Sequence, residues 1–313
     1  MKKLRYGIMS TSSIAPRFIG AIRQSECGEV VAFSSRTQEK ARQKADEWSI
    51  PKAYGNHLRL LDDKDVDIVY ISSVNSAHYQ DAKTALEYGK HVVCEKPCTV
   101  SADQTRELFE IAREKKLFFM EAQKMLFLPV IKLVKDHILN GDLGQVQMVE
   151  FDHSFSAGYN GWLFDPSLGG GTLLSSGIYA IQFLLWMFGD IRKVGGVCSK
   201  NTGQAEHQYI LNGETESGVL FSVKNSTGAV LDNKAVIYGT KGKIVIPDYW
   251  KARKYVFGEK YMEIPCEYEL SYEVEHIMDC IEKGLLTSPV VTEDISVKGI
   301  EVIERIKKEW DKN

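Results

Sequence analysis

Residues 4–22 read LRYGIMSTSSIAPRFIGAI and place a strand, a tight turn and a helix in succession. Residues 4–9 form an apolar run of strand length, and residues 14–24 carry apolar positions at the spacing of an amphipathic helix. Pro16 falls in the first helical turn, where its missing N–H costs nothing, and Ser12 or Ser13 is the expected cap. This stretch predicts the first strand–turn–helix unit of a larger sheet.

The same alternation continues to about residue 120. Further β-rich runs lie at 29–34, 66–72, 91–94 and 117–120. Helical patterns separate these runs, for example at 37–48 and 102–114. Strands that alternate with helices predict a parallel, doubly wound sheet of the α/β class. We therefore expect residues 1–120 to form one domain.

The second half of the chain has a different pattern. Six strand-like runs occupy 146–155, 193–199, 207–211, 218–225, 229–238 and 243–247. Helical patterns lie at 129–140, 172–188, 272–284 and 297–310. Several of the strands are joined directly by turns that contain Gly, Asn or Ser, which favours antiparallel pairing. The change near residue 121 predicts a second, α+β domain over residues 121–313.

Composition excludes several classes of partner. The 313 residues are 44% hydrophobic and 26% charged, with a formal net charge of -3. These values are ordinary for a globular protein, and no stretch concentrates Lys and Arg on one face. A nucleic acid or a membrane surface is therefore not an expected partner, whereas a small-molecule substrate is.

The N-terminus and the cysteines predict a cytoplasmic protein. The first seven residues return to charge before any apolar segment develops, and no apolar run approaches a membrane span. Six scattered cysteines indicate a reducing compartment rather than a disulfide framework. Cys94 and Cys98 are the only close pair, and no nearby His completes a zinc set, so we expect buried thiols and no metal site.

The turn after the first strand is a candidate phosphate site. Its residues are Ser10, Thr11, Ser12, Ser13 and Ile14. Dinucleotide sites place a Gly-rich turn here, because glycines let the backbone approach the pyrophosphate at a helix N-terminus. In this chain serines replace both leading glycines. A Ser-rich helix cap without a ligand explains the turn equally well.

The end of the second strand bears on the choice of cofactor. Sites that prefer NAD usually carry an acidic residue there, which accepts from the ribose 2′-hydroxyl. This chain has Ser35 and Arg36, and a guanidinium can grip a 2′-phosphate. These residues favour NADP(H) as the cofactor, and NAD(H) is the alternative. If Arg36 does not bind a phosphate, we expect it to be a solvated side chain before the second helix.

Spaced motifs resemble the Gfo/Idh/MocA family of oxidoreductases. The most specific is Cys94-Glu95-Lys96-Pro97 after a strand, preceded by the run Ser73-Val74-Asn75-Ser76-Ala77-His78. Further matches are Asp165–Gly171 with Gly177-Ile178-Tyr179, Tyr238–Gly242 and Cys280–Gly284. Several matches in the right order are more specific than any single one.

The resemblance implies a Rossmann domain followed by a domain with a large open sheet. It also implies that Lys96 lies beside the nicotinamide and the substrate. Hydride transfer to or from a carbonyl needs a proton donor or acceptor, and a lysine with a lowered pKa can be either. Further cofactor contacts implied by the resemblance are Ser73, Asn75, His78, Glu95 and Glu121.

The chain departs from the family pattern at two places. After Gly171 the family commonly has an Asp and, four residues later, a His or Tyr; here the positions hold Ser175 and Tyr179. We expect Tyr179 to be catalytic with Lys96, and Ser175 to contact the substrate. The second departure is at Leu126, where relatives have an Arg. The nearby Lys124 either supplies a positive charge to the substrate pocket instead or lies in solvent.

The loop before that helix carries a candidate substrate contact. Trp162, in a loop with Tyr159 and Asn160, stacks either on the substrate or in the core. Asp165 belongs to the same loop, which we expect to cover the substrate.

Three functions are compatible with these residues. The first is an NAD(P)-dependent dehydrogenase or reductase of a small polyhydroxy substrate, such as a sugar, polyol or cyclic diol. The second is a non-catalytic nucleotide-binding regulator on the same fold, which the serines at 10, 12 and 175 favour. The third is a family enzyme with a linear tetrapyrrole as substrate. The resemblance also implies a homodimer or homotetramer.

Overall fold

The computed structural model describes residues 3–157, 161–266 and 268–312. These residues divide into two compact units. The first unit comprises the chain up to residue 99 together with 103–123 and 267–293, and the second comprises 100–102, 124–266 and the chain from 294.

The first unit contains a six-stranded parallel sheet. Its strands are β1 (Leu4–Met9), β2 (Gly28–Ser34), β3 (Lys52–Tyr54), β4 (Ile68–Ile71), β5 (His91–Glu95) and β6 (Phe119–Ala122). Its helices are α1 (Ala15–Ser25), α2 (Gln38–Glu47), α3 (His57–Leu61), α4 (His78–Glu87), α5 (Ala102–Lys115) and, much later in the chain, α8 (Ser271–Glu282). The spatial order β3-β2-β1-β4-β5-β6 confirms the predicted doubly wound sheet. The order reverses between β1 and β4, so a crevice is expected at their carboxyl ends.

Burial explains why these segments form strands. All four residues of β4 are buried, as are the three central residues of β5. Helices on both faces of a parallel sheet require such continuously apolar strands. Phe18 of α1 stacks on Tyr70 of β4, with ring centroids 3.7 Å apart, and anchors α1 to the sheet.

Helix α8 joins the first unit although it follows the predicted boundary at residue 121. It packs against α1, and Val274 and Ile277 on α8 are fully buried. Sequence order alone could not reveal this return, because the apolar face of a helix does not specify its partner.

The second unit is built on an eight-stranded sheet. Its strands are β7 (Val146–Ser154), β8 (Ile191–Lys200), β9 (Glu206–Thr215), β10 (Leu220–Ser226), β11 (Lys234–Gly239), β12 (Gly242–Pro247), β13 (Lys254–Phe257) and β14 (Lys260–Glu263). Its helices include α6 (Pro129–Leu139), α7 (Ile178–Phe188) and α9 (Glu293–Trp310). The order is β14-β13-β12-β11-β7-β10-β9-β8, and β7 pairs in parallel with β10 while the other pairs are antiparallel. The predicted large, mainly antiparallel sheet is confirmed.

Three strands differ from the prediction. The run predicted at 229–238 starts only at Lys234, because Asn233 adopts the left-handed region with φ +55° and interrupts the extended chain. Strands β13 and β14 were not predicted. They are four residues each, and β14 is exposed along its length, so an apolar pattern is missing there.

One described stretch, Pro166–Phe188, has the length and hydropathy of a membrane span. However, 78% of an 18-residue apolar window within it is buried inside the protein, as is typical of a core helix.

Candidate cofactor and active site

In the turn after β1, a serine adopts a backbone conformation that normally favours glycine. Ser10 adopts φ +103°, a region in which a side chain is strained and glycine is favoured. Ser12 Oγ donates to Ser72 Oγ at the end of β4 over 2.7 Å. This close approach of the turn to β4 fits the expected place of a pyrophosphate.

The predicted serine cap of α1 is wrong. The cap position is Ile14, which makes no side-chain hydrogen bond, and the helix begins at Ala15. Thr11 and Ser13 lie in the same turn and reach solvent. Neither Ser12 nor Ser13 therefore caps the helix, and the Ser12 hydroxyl bonds to Ser72 instead.

The strain at Ser10 yields a prediction. Ser10→Gly should raise the free energy of unfolding by about 0.5–1 kcal/mol, since relief of the left-handed strain exceeds the entropy cost of glycine. Thermal unfolding of the two proteins measures this difference. Ser13→Gly is the matched control, because Ser13 has an ordinary φ and should gain nothing. Equal or lower stability of Ser10→Gly would show that the turn holds no strain.

A cavity of about 340 Å³ opens at the carboxyl ends of β1 and β2. Its lining includes the apolar Met9, Leu58 and Leu61 together with Ser35 and Arg36. An apolar wall beside a guanidinium suits an adenosine with a phosphate on its ribose. The structure thus brings Ser35 and Arg36 together with these apolar side chains in one cavity.

The same cavity contains two groups that the sequence did not indicate. Asp81 of α4 lines it, so a carboxylate does stand in the region where none was expected. His57 also lines it; its Nδ1 contacts Ser34 Oγ over 2.7 Å, and burial lowers the pKa of His57. Neither could be found from local patterns, because α3 and α4 meet the end of β2 only in the fold.

The loop after β4 is tied to the segment after β5 through a buried histidine. His78 Nδ1 lies 2.8 Å from the Pro97 carbonyl oxygen, and His78 Nε2 lies 2.9 Å from the Ser73 carbonyl oxygen. Ser73 Oγ in turn donates to Asp81 Oδ2 over 2.6 Å, and Asn75 is buried in the same loop. His78 therefore holds the Lys96–Pro97 segment, whose peptide bond is cis.

Two carboxylates face Lys96 at the end of β5. Burial lowers the pKa of Lys96, while the charges of Glu95 and Glu121 oppose that effect. Glu121 is fully buried on β6, and its Oε1 accepts the backbone N–H of Cys98 over 3.0 Å. A lysine whose pKa is lowered by burial releases its proton more readily than an exposed lysine, while the two carboxylates stabilise its ammonium form.

Ser175 and Tyr179 lie in the second unit, across a change of helix type. Residues Leu173–Gly177 form a π-helical turn, and α7 begins only at Ile178, whereas a regular helix was predicted from residue 172. Tyr179 is 8% exposed. A π turn inside an α-helix frequently marks a functional site.

The remaining predicted substrate contacts have contrasting exposure. Trp162 is 42% exposed, so it is not the core anchor that was one of its two interpretations. Lys124 is 6% exposed, which excludes the solvated interpretation of that lysine. Asp165 caps its own loop by accepting from Ser167. Tyr159 and Asn160 lie outside the described residues.

The thiols and the acidic groups offer no metal centre. No group of three or more His, Cys, Asp or Glu side chains that could hold a metal occurs in the described ranges. Cys94 and Cys98 are free and buried, and burial raises the pKa of both thiols well above the usual range. They are therefore structural and not nucleophilic.

Comparisons with known proteins cover nearly the whole chain. A model described as an oxidoreductase family with an NAD-binding Rossmann fold matches residues 4–123, and a Gfo/Idh/MocA C-terminal domain model matches residues 131–245. Trans-1,2-dihydrobenzene-1,2-diol dehydrogenase of Bos taurus is 31% identical over 97% of this chain and 96% of its own. The protein of that name from Xenopus tropicalis is 32% identical over 92% of each chain. The crystal structure of an aldose-aldose oxidoreductase from Caulobacter crescentus with glycerol is 25% identical, with TM-score 0.89 over 99% of this chain and 98% of that one.

Proposed function

The chain belongs to the Gfo/Idh/MocA family of oxidoreductases, and we propose that it transfers a hydride between NADP(H) and a small polyhydroxy compound. It is an NAD(P)-dependent dehydrogenase that acts on CH–OH groups. Because relatives that match almost the full chain are dehydrogenases, the interpretation as a non-catalytic regulator is set aside.

The observation that carries the proposal is the environment of Lys96. It follows β5 at the carboxyl edge of the sheet, is held through His78, and combines a lowered pKa with two facing carboxylates. Cys94 and Cys98, which are close to Lys96 in the sequence, are held as neutral thiols by burial.

The proton and the hydride have separate routes. When NADP⁺ is bound it accepts the hydride from the substrate carbon. The hydroxyl proton of the substrate passes to the Tyr179 phenolate, which becomes the neutral phenol, and Lys96 orients the substrate hydroxyl and stabilises that phenolate before the transfer. In the reverse direction Tyr179 returns the proton to the carbonyl oxygen.

We propose a vicinal diol, cyclic or of a sugar, as the substrate class. The support is the resemblance over the whole chain to trans-1,2-dihydrobenzene-1,2-diol dehydrogenases. The exposed indole of Trp162 offers an apolar face to a ring, which sugars and cyclic diols present.

A substrate screen tests this proposal. NADPH fluorescence would first establish cofactor binding. NADP⁺ reduction would then be followed with trans-cyclohexanediols, aldoses and polyols, and NADPH oxidation with the matching carbonyl compounds and with a linear tetrapyrrole. Turnover of a cyclic diol or aldose is expected; turnover of the tetrapyrrole alone would overturn the proposed substrate class.

We propose that Arg36 reads the ribose 2′-phosphate. NADPH should bind at least ~10-fold tighter than NADH, a difference of about 1.4 kcal/mol. Arg36→Ala should remove this preference by weakening NADPH alone, as measured by fluorescence titration with each cofactor. Arg42→Ala, an exposed arginine of α2 that pairs with Asp46, is the matched control. Equal losses for NADPH and NADH in Arg36→Ala would contradict the assignment.

We further propose that the protein is a homodimer or homotetramer through the sheet of the second unit. One face of that sheet carries large exposed apolar side chains, among them Val197, Ile210 and Leu220, which are 70%, 48% and 48% exposed. Contiguous apolar groups on a sheet face are typical of an interface. Light scattering at micromolar concentration should give at least twice the mass of one chain, and a monomeric mass would refute this.

A further inference from the structure

A chain of hydrogen bonds leads from the core of the first unit to the segment that carries Lys96. Tyr70 of β4 is fully buried, and its Oη donates to Glu95 Oε1 over 2.5 Å. The other carboxylate oxygen, Glu95 Oε2, accepts the backbone N–H of Lys96 over 3.3 Å. Each oxygen of Glu95 therefore has its own donor, and rotation of the carboxylate is restricted.

The Tyr70 ring is itself held in place. It stacks on Phe18 with the ring planes 4° apart. Burial and the neighbouring Glu95 carboxylate raise the pKa of Tyr70 well above its usual range, so the hydroxyl keeps its proton and remains a donor. A phenol on a packed ring is a stiff support, because only two side-chain torsions have to be fixed.

The orientation of Glu95 matters for Lys96. Of the charges that stabilise the Lys96 ammonium, Glu95 acts most strongly and Glu121 follows. The attraction between two charges falls with their separation, so a carboxylate that rotates away stabilises the ammonium less. Glu121 is anchored by the backbone of Cys98, whereas the side chain that anchors Glu95 is Tyr70.

We propose that Tyr70 is a positioning residue for the reaction: its hydroxyl fixes Glu95, and Glu95 sets the charge state and orientation of Lys96. The inference rests on the proposed function, in which the Lys96 ammonium orients the substrate hydroxyl and stabilises the Tyr179 phenolate. Two further titratable groups face Tyr70, Glu273 of α8 and Cys94 of β5, and both stay unchanged in the test.

The direct test measures Lys96 itself and needs no substrate. Tyr70→Phe removes only the hydroxyl and keeps the ring on Phe18. The pKa of Lys96 is read from the pH titration of its Cε signal in protein labelled with ¹³C-lysine, with Lys96→Arg to assign the signal. The Lys96 pKa should be lower in Tyr70→Phe than in the wild type, because the ammonium loses a fixed counter-charge.

Tyr6 of β1 supplies the matched control. It is also fully buried, but its hydroxyl has no hydrogen-bond partner among the described residues. Tyr6→Phe should leave the Lys96 titration as in the wild type. Glu95→Asp is the second variant, since it keeps the charge but shortens its reach toward Tyr70. It should shift the Lys96 titration in the same direction, and it decides the question if Tyr70→Phe does not fold.

Enzyme kinetics provide a second test, which is independent of the Lys96 titration. In Tyr70→Phe, kcat should fall about tenfold, which corresponds to about 1.4 kcal/mol, with KM little changed and the pH–rate profile moved to lower pH. In a Glu95→Gln background the same substitution should cost nothing more, because Tyr70 acts only through Glu95.

The outcomes separate the two proposals. A Lys96 titration that is the same in Tyr70→Phe, Tyr6→Phe and the wild type would overturn the role of Tyr70, whatever the turnover. A lowered Lys96 pKa without wild-type turnover of any diol, sugar or carbonyl would support the link from Tyr70 to Lys96 and overturn the proposed substrate class instead.

Discussion

Lys96→Ala is expected to lower kcat by about two to four orders of magnitude, the usual contribution of a general acid or base. The substitution removes both the group that orients the substrate hydroxyl and the charge that stabilises the deprotonated Tyr179. NADPH affinity should change much less, because the cavity that contains Arg36 lies at the ends of β1 and β2. Steady-state kinetics and NADPH fluorescence titration measure the two effects separately.

Two further variants are needed to interpret the loss of turnover in Lys96→Ala. Lys96→Arg keeps a positive charge but cannot release a proton at any working pH. It should therefore retain more turnover than Lys96→Ala if Lys96 acts through its charge, as proposed, and be as inactive as Lys96→Ala if Lys96 itself has to release a proton. Lys83→Ala is the control for a lost lysine, since Lys83 pairs with Glu107 on α4 and α5. Should Lys96→Ala retain turnover within a few-fold of the wild type, Lys96 neither orients the substrate hydroxyl nor stabilises Tyr179, and its assignment to the reaction is wrong.

The fold of the first unit was largely predictable, because all of its strands except the three-residue β3 contain a short apolar run, and helical patterns separate these runs. Local periodicity carries that information. It does not specify partners distant in the sequence, which is why the return of α8 to α1 was missed. The strands β13 and β14 were missed for another reason: each is only four residues long, and the edge strand β14 is exposed along its length and has no apolar pattern.

The candidate site was predicted in part. Lys96, Glu95 and His78 could be found because they lie in compact motifs that resemble a family pattern. The contacts that support them could not be found: Tyr70 reaches Glu95 across 25 residues of sequence, and Asp81 enters the Arg36 cavity from another helix. Neither residue type nor spacing signals such contacts before the chain is folded.

The serines of the first turn illustrate the same limit. The sequence showed that glycines were replaced, which was equally consistent with a turn that binds no ligand. The positive φ of Ser10 shows that the backbone conformation persists without the residue that favours it. Strain that is kept at one position of a fold is more typical of a functional turn than of a helix cap.

Tyr179→Phe is expected to be as damaging as Lys96→Ala, with a loss in kcat of about two to four orders of magnitude. The phenol is the proposed proton donor and acceptor, and phenylalanine keeps the ring while removing only the hydroxyl. The double variant Lys96→Ala with Tyr179→Phe should lose little more than either single variant, because residues that act as one unit are strongly non-additive.

Tyr238→Phe is the matched control for a lost phenol in the second unit, where the Tyr238 hydroxyl donates to Glu150 on the sheet. It should leave kcat within a few-fold of the wild type. Losses from Lys96→Ala and Tyr179→Phe that simply add would mean that the two residues act in separate steps. Full activity of Tyr179→Phe would remove Tyr179 from the mechanism, and Lys96, with its lowered pKa, would then have to exchange the substrate proton alone.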